Sequence, residues 1–251
     1  KTAISLYHVL EEKGREPQYD GYVESFTENW EKLERYDNNA PKTMNAHLHV
    51  LEAYTLLYQC WKDNGLKKRL EFCVDLFMNR IYDPSRRHFN LFFDNEWNSL
   101  VEMDSYGHDV ETGWLLCEAA RTLENQDLIK RTNLLALDVT GACLAEGMSD
   151  KGYMIYEKKG DRKTKHASWW GQVETMIACV NAWQISGDEA WLQSADTVWT
   201  FVKDHMVDKE YGEWYSDCFD GEPKKGAPKV SMWRCPYHTV RLGVEMYNRL
   251  K

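Results

Sequence analysis

The stretch His108-Asp-Val-Glu-Thr-Gly-Trp-Leu-Leu116 occurs, with variations, four times along the chain. The other three copies are His49-Val-Leu-Glu-Ala-Tyr-Thr-Leu-Leu57, Gly171-Gln-Val-Glu-Thr-Met-Ile-Ala-Cys179 and His238-Thr-Val-Arg-Leu-Gly-Val-Glu-Met246. Their first residues are separated by 59, 63 and 67 positions. A near-regular period of this length is typical of repeat architectures, in which each repeat is one supersecondary unit. We therefore expect three histidines at equivalent positions of a circular or stacked array.

Two kinds of helical pattern alternate around these copies. Segments that are apolar on most faces predict helices buried all round; they cover 43–62, 107–126, 168–187 and 236–250. Segments with a 3.6-residue apolar stripe predict amphipathic helices; they cover 19–34, 65–81, 127–147 and 189–207. Short strand-like pieces lie between the pairs, at 88–93, 97–103, 152–157 and 211–215, with a hairpin at Asp94-Asn-Glu96. The alternation predicts an all-α toroid, with an inner ring of helices wrapped by an outer ring.

The chain contains no low-complexity linker, so we predict one domain spanning 1–251. A closed ring of six helix pairs with about 60 residues each would need about 360 residues, which is more than this sequence has. We interpret residues 1–14 as the tail of an inner helix. The expectation is that the chain is the C-terminal portion of its domain and that the N-terminal part of the ring is missing.

Composition excludes several classes of partner. The chain has 251 residues, 43% of them hydrophobic, and a formal net charge of −9. An acidic protein lacks the concentrated basic surface that nucleic acids require. No window approaches the roughly 18 apolar residues of a membrane span. Seven cysteines without a CxxC pair predict reduced thiols and a cytoplasmic setting. We expect a soluble monomer that binds neither nucleic acid nor membrane.

The histidines at the repeat heads are candidates for acid–base chemistry. At a helix N-terminus the macrodipole disfavours imidazolium, so these rings should be neutral and competent as bases. In the first two repeats a glutamate follows three residues later, Glu52 and Glu111, where it could orient a ring or accept a substrate hydroxyl. A single histidine in such a position is more often a core residue with satisfied hydrogen bonds. Three at one repeat position favour a site.

Other kinds of site have less support in the sequence. His47 and His49 are two residues apart and would point about 200° away from each other on a helix, so they do not form a metal pair. Zinc, calcium and Gly-rich phosphate motifs and a GxSxG elbow are all missing, and we expect no metal and no cofactor. A glycosidase needs two carboxylates in opposed roles, and the available ones are Asp104, Asp109, Glu111 and Glu174.

Hydrolysis does not account for three histidines. Proton abstraction from a carbon next to a carbonyl does, because it needs a base on one side of the substrate plane and an acid on the other. Trp170 and Trp233 would then offer flat faces to sugar rings, although either could equally be a core residue.

Four stretches together resemble one known family. They are Lys42-Thr-Met-Asn-Ala-His-Leu-His-Val-Leu-Glu-Ala-Tyr-Thr55, Ser105-Tyr-Gly-His-Asp-Val-Glu111, Trp169-Trp-Gly-Gln-Val-Glu174 and Trp233-Arg-Cys-Pro-Tyr-His238. In these residues the chain resembles the N-acylglucosamine 2-epimerase superfamily, and most closely its cellobiose 2-epimerase branch. The resemblance implies an (α/α)6 barrel. It also implies that an arginine of the family's site lies in the missing N-terminal part.

The resemblance further implies roles for individual residues. His108 and His238 match the acid and base pair that removes the C2 proton of the opened reducing-end glucose and returns it to the other face through a cis-enediol. His49 matches a third histidine that assists ring opening or holds the O1/O2 region. Positions that contact the sugar are matched by Asn45, Glu111, Trp114, Trp170, Glu174 and Trp233. Gly171 stands where a fourth histidine would fall.

The expected function is a cofactor-free C2 epimerase of β-1,4-linked disaccharides such as cellobiose, lactose or a mannobiose-type sugar, in carbohydrate metabolism such as mannan catabolism. Two alternatives share the fold: an N-acylglucosamine 2-epimerase and an aldose–ketose isomerase acting on mannose. A third alternative, from another class, is a sugar-binding protein without catalysis.

Overall fold

The computed structural model describes residues 1–33 and 35–251, and helices dominate them. The helices are α1 Thr2–Val9, α2 Met44–Cys60, α3 Asn64–Leu76, α4 Tyr106–Thr122, α5 Gln126–Gly147, α6 Trp169–Ser186, α7 Ala190–Phe201 and α8 Tyr237–Arg249. The strands have two or three residues each: β1 Lys42–Thr43, β2 Tyr82–Asp83, β3 His88–Phe89, β4 Phe92–Phe93, β5 Met103–Asp104, β6 Lys158–Lys159, β7 Arg162–Lys163, β8 His166–Ser168, β9 Asp217–Phe219 and β10 Glu222–Pro223.

Helix α6 shows why the apolar segments form buried helices. It begins after Ser168, whose Oγ accepts a hydrogen bond from the backbone N–H of Gly171 at 3.3 Å and so satisfies one unpaired amide of the first turn. It ends at Gly187, which takes the left-handed conformation (φ 73°) that suits glycine. Every residue from Trp170 to Ala182 is buried, and the helix packs against α7 and α8.

The amphipathic segments end in a common way. Helices α1, α3 and α7 each continue into a five-residue π-helical turn, at Leu10–Gly14, Phe77–Ile81 and Val202–Met206. After each of these turns, and after α5, the chain closes a tight antiparallel bridge: Arg15 with Tyr22, Tyr82 with Phe89, Met148 with Met154, and Val207 with Trp214. Residues 1–14 therefore share the ending of the amphipathic helices, and their interpretation as the tail of an inner helix is wrong.

Two further expectations are corrected. The helix predicted over 19–34 is absent from the described residues 19–33, because Asp20, Gly21 and Trp30 have positive φ values that interrupt a helix. Helix α8 is not buried all round: Leu242 is its one buried residue, and its exposed apolar residues include Val240, Val244 and Tyr247. Helix α8 packs mainly against α6, and most of its other residues are exposed or half-buried. In α2, burial is confined to a face that excludes Asn45 and His49.

The predicted strand-like pieces are short or absent as strands. The hairpin at Asp94-Asn-Glu96 is confirmed, since Phe93 pairs with Ser99 and the Asp94 N–H donates to the Asn98 carbonyl at 3.1 Å. Segments 152–157 and 211–215 contribute only the single bridges of Met154 and Trp214.

The described chain divides into two units. One comprises Lys1–Asp104 with Leu115–Thr132, and the other Ser105–Trp114 with Asn133–Lys251. In the second unit the core is built on α6. Within residues 1–33 and 35–251, no helix is both long enough and apolar enough to span a membrane. Five cysteines are buried as small core residues, namely Cys73, Cys117, Cys143, Cys179 and Cys218, while Cys60 and Cys235 are exposed.

Candidate active site

The helix starts set the true register of the repeats. Thr43, Ser105 and Ser168 each stand immediately before a buried helix, and three residues after them come Ala46, His108 and Gly171. The Thr43 and Ser168 hydroxyls accept from the N–H groups of Ala46 and Gly171, which identifies these positions as equivalent.

The corrected spacing is 62, 63 and 67 residues, with His238 as the fourth member. His49 is the sixth residue of α2, whereas His108 is the third residue of α4. The expectation that the two histidines are equivalent is therefore wrong, by almost one helical turn. In the corrected register, His49 occupies the repeat position that Glu111, Glu174 and Arg241 occupy in the other three copies.

Glu111, Glu174 and Arg241 contact one another in the second unit. The Arg241 guanidinium Nη1 lies 2.7 Å from Glu111 Oε1 and 3.1 Å from Glu174 Oε1. The Glu174 carboxylate also accepts from the Nδ1–H of His238 at 2.7 Å and from the indole N–H of Trp114 at 2.9 Å. Because an ionised carboxylate only accepts hydrogen bonds, Glu174 holds the proton of His238 on Nδ1. Nε2 is then the nitrogen that can exchange a proton with a ligand.

This cluster of charges is withdrawn from water. The side chains of Glu174, Glu111 and Arg241 are 0%, 2% and 9% exposed. Two carboxylates buried side by side repel each other unless a cation neutralises them, and Arg241 supplies that cation. The guanidinium is also held by packing over the rings of Tyr237 and Trp114, at 4.2 and 5.3 Å from their centroids. Sequence reasoning missed Arg241, although its place in the repeat, where two other copies carry glutamate, was a usable signal.

The second histidine of this unit, His108, is held at the start of α4. Its Nδ1 forms a hydrogen bond with Ser105 Oγ at 2.8 Å. Its ring lies 4.5 Å from the Trp170 ring, centroid to centroid. Gly107 makes this approach possible, because a Cβ on that residue would stand only 2.7 Å from Trp170 Cζ3. The glycine lets α4 carry His108 against the indole.

Trp170 contacts both histidines. The His238 ring lies 5.7 Å from it, inclined by 34°, and the His108 ring is inclined by 52°. Trp170 is 9% exposed. One indole thus joins two imidazoles from different helices, each with Nδ1 tied to a polar side chain. Such an arrangement can exchange protons at two points around a single bound molecule.

The other predicted site residues lie elsewhere. Asn45 and His49 are exposed on α2 of the first unit, one helical turn apart, and His49 Nδ1 lies 3.3 Å from Glu52 Oε2. His47 is buried, as expected for a residue pointing away from His49. Trp233 is 82% exposed, with its backbone N–H bonded to Ser231 Oγ at 3.3 Å. It comes five residues before His238.

The cluster also has the composition of a cation site. Ligand atoms of Glu111, Glu174 and His238 lie within 4.8 Å of one another. The guanidinium of Arg241 already lies within hydrogen-bonding distance of both carboxylates, where it offsets one of their two negative charges. We assign no ion to this place.

Comparison with known proteins places the chain in a family. The sequence model described as N-acylglucosamine 2-epimerase (GlcNAc 2-epimerase) matches residues 1–241. The chain belongs to the N-acylglucosamine 2-epimerase family. One curated relative is the cellobiose 2-epimerase of Bacteroides fragilis, which is 38% identical to this chain. The alignment covers 97% of this chain and 64% of the relative.

Solved structures agree with this assignment. Cellobiose 2-epimerase from Bacillus thermoamylovorans B4167 superposes with a TM-score of 0.93 at 34% identity, covering 98% of this chain and 64% of its own. A D-mannose isomerase shares the fold alone, with a TM-score of 0.81 at 17% identity over 98% of this chain and 65% of its own. The predicted all-α, (α/α)6 fold class is confirmed for this N-acylglucosamine 2-epimerase family member. The chain spans about 64% of the length of the cellobiose 2-epimerases it matches.

Proposed function

We propose that the protein is a carbohydrate 2-epimerase that inverts C2 of the reducing-end glucose of β-1,4-linked disaccharides. The observation that carries this proposal is that the rings of His108 and His238, from two different helices, both lie against the indole of Trp170. Membership of the N-acylglucosamine 2-epimerase family and 38% identity to a cellobiose 2-epimerase support the reaction class. Cellobiose and lactose are the proposed substrates.

The chemistry follows from the two imidazoles. In the open-chain sugar the C2 proton is adjacent to the aldehyde carbonyl, and one neutral histidine removes it through Nε2. The electron pair moves into a C1–C2 double bond, and the carbonyl oxygen takes up a proton to give a cis-enediol. The other histidine, in its protonated form, returns a proton to C2 from the opposite face while the O1 proton leaves and the aldehyde forms again. The proton count and charge of the sugar are restored, and the two histidines have exchanged protonation states, which proton exchange with water resets. The cycle therefore needs no oxidant or reductant.

Other residues of the proposal act around this exchange. Glu174 orients His238 through its Nδ1–H, and Ser105 orients His108. Trp170 offers its face to the reducing-end ring, and Trp233 offers an exposed indole to the disaccharide. By the family resemblance, His49 is proposed to assist ring opening or to hold the O1/O2 region, and Asn45 is proposed to contact the sugar. Glu111 and Trp114 support the site through Arg241 and Glu174.

Solvent deuterium tests the proposal. Incubation of purified protein with cellobiose in D2O should yield glucosyl-mannose with deuterium at C2, detected by NMR. Replacement of either His108 or His238 by Asn should lower kcat by about 10²- to 10⁴-fold, the range for a lost general acid or base. The exposed His8→Asn variant serves as the matched control and should retain activity. Epimer without deuterium at C2 would contradict the proton-transfer scheme.

Product analysis separates the alternatives. An aldose–ketose isomerase would protonate C1 and accumulate a ketose, and an N-acylglucosamine 2-epimerase would act on N-acetylmannosamine. A sugar-binding protein would bind cellobiose and release no product. A glycosidase would release glucose; against it, Glu111 and Glu174 both bind one guanidinium, which keeps either from serving as the acid.

A further inference from the structure

We propose that Tyr156, His166 and Phe219 form the subsite for the non-reducing sugar of the disaccharide, an inference that rests on the proposed epimerase function and names a specificity-determining surface for it. All three residues belong to the second unit and lie next to the His108–Trp170–His238 group. We call them the aromatic platform.

The outer part of the aromatic platform is a half-exposed ring that rests on a second ring. Phe219 is 50% exposed, and its ring stacks on His166 at 4.8 Å with an angle of 9° between the planes. His166 covers one face of the phenyl ring, and the Lys224 ammonium lies over the ring at 5.9 Å from its centroid. A pyranose has an apolar C–H face that packs on such a ring, whereas its hydroxyl rim needs hydrogen bonds.

The support beneath Phe219 is rigid. His166 Nε2 and Asp217 Oδ1 are 2.6 Å apart, and this contact sets the orientation of the imidazole. Strands β8 and β9 are antiparallel, with His166 opposite Phe219 and Ser168 opposite Asp217. A side chain held by both the sheet and a charged hydrogen bond loses little entropy when a ligand binds. The geometry is therefore pre-formed for stacking.

Tyr156 connects the platform to the proposed catalytic residues. Its ring lies 4.8 Å from His166 and 6.0 Å from Trp170, nearly perpendicular to the indole. Its backbone N–H donates to the His166 carbonyl at 2.8 Å. Strand β8 runs directly into α6, which carries Trp170 and Glu174. Consecutive ring contacts thus lead from the two histidines to Phe219, the path that the second ring of a disaccharide would follow.

Two polar groups lie near the aromatic platform. The Asp217 carboxylate is 23% exposed, and the Lys224 ammonium lies 5.9 Å from the Phe219 centroid. A carboxylate accepts hydrogen bonds from sugar hydroxyls and an ammonium donates to them. An aromatic face bordered by one acceptor and one donor has the chemistry of a neutral sugar subsite.

The test compares a disaccharide with a monosaccharide. Phe219→Ala should lower kcat/KM for cellobiose by about 3- to 10-fold, the effect of losing one aromatic contact, mainly through a higher KM. Its kcat/KM for glucose should stay unchanged, because glucose occupies only the reducing-end position. Tyr211→Ala, an exposed aromatic residue of the same unit, is the matched control and should change neither value. Phe219→Tyr keeps the ring and should restore the preference for cellobiose.

Two results would overturn the subsite. One is an equal loss on both sugars in Phe219→Ala, which indicates a structural role; the other is an unchanged KM for cellobiose. If the unaltered protein converts neither sugar, the proposed epimerase function fails, and tryptophan fluorescence titration still decides the subsite. A preference for binding cellobiose over glucose that disappears in Phe219→Ala supports it, and a preference that persists, or no binding of cellobiose, overturns it.

Discussion

His238 Nδ1 and Glu174 Oε1 are 2.7 Å apart, and the glutamate is fully buried. The carboxylate joins α6 to α8 and determines which nitrogen of the imidazole carries the proton. Since the same oxygen accepts from Arg241, which also binds Glu111 of α4, the orientation of His238 depends on a charge cluster built from three repeats. The proposed proton exchange therefore relies on the packing of three helices.

Replacing Glu174 by Gln should disable this orientation. The amide has no negative charge and can present its NH2 group to the imidazole, so His238 loses its preferred tautomer. We expect kcat for cellobiose to fall by about 10²-fold or more, with a small change in KM, as for other orienting carboxylates of catalytic histidines. Steady-state kinetics across pH checks this. Glu245→Gln, which alters a carboxylate of α8 paired with Arg249 at 2.7 Å, is the control. Equal kcat in the two variants would refute the orienting role.

Arg241→Met should destabilise the fold in a pH-dependent way. Removing the guanidinium leaves Glu111 and Glu174 as buried carboxylates without their cation, and breaking such a buried pair costs about 3 to 5 kcal/mol. The decrease in the free energy of unfolding should be larger at pH 8 than at pH 5, because protonation of one carboxylate at the lower pH relieves the repulsion between the two. Urea unfolding at the two pH values measures it.

The groups that face Arg241 are Glu111 from α4, Glu174 from α6, and His238 and Tyr237 on α8. Adding Glu111→Gln to Arg241→Met should recover part of the lost stability, since one of the two carboxylates becomes neutral. A double variant that is no more stable than Arg241→Met would contradict the role of Arg241 as the shared cation.

Gly107→Ala should displace the indole of Trp170. The added methyl would stand 2.7 and 2.8 Å from two ring carbons and 3.2 Å from the Gly171 backbone, so the ring must move away from Gly107, which alters its contact with His108. Overpacking of this kind costs about 1 to 3 kcal/mol, and activity should fall with it. Thermal unfolding and kinetics report both effects. Gly243→Ala on α8, where nothing lies within 4 Å of the new Cβ, should leave Tm and activity nearly unchanged. Similar behaviour of the two variants would argue against close packing at Gly107.

His47 should make stability fall in mild acid. Complete burial lowers the pKa of His47 to about 4 and outweighs the hydrogen bond to the Thr43 carbonyl, while its Nε2 accepts from the Tyr22 N–H at 2.8 Å. The folded state binds fewer protons than the unfolded state between pH 6.5 and about 4. The stabilisation is thus complete above pH 6.5 and is lost as the pH falls, by about 3 kcal/mol in total.

Urea unfolding between pH 4.5 and 7.5 checks this prediction. His47→Asn lacks the titrating group, so its free energy of unfolding should depend less on pH than that of the unaltered protein. His8→Asn changes an exposed histidine and should keep the original dependence. An NMR titration of His47 near pH 6.5 would show the prediction to be wrong.

Local sequence was sufficient for most helices, because apolar periodicity and hydroxyl caps act over a few residues. Helices α3, α5, α6 and α7 fall close to their predicted bounds. The prediction failed over 19–33, where the apolar spacing is helical but backbone turns at Asp20 and Gly21 direct the chain into a closed bridge. It also failed for the register of His49, since a sequence repeat aligned by its histidines ignores where the helix begins.

By itself, the sequence determined the alternation of buried and amphipathic helices, the placement of His108 and His238 at helix starts, and the family. These features depend on neighbours within one or two helical turns. Only the tertiary structure decided that Arg241 pairs with both Glu111 and Glu174, which lie 130 and 67 residues before it. It alone also showed that Trp170 contacts both histidines. The physical reason is that burial makes an unpaired charge costly, and the partner that balances it is chosen by helix packing rather than by distance along the chain.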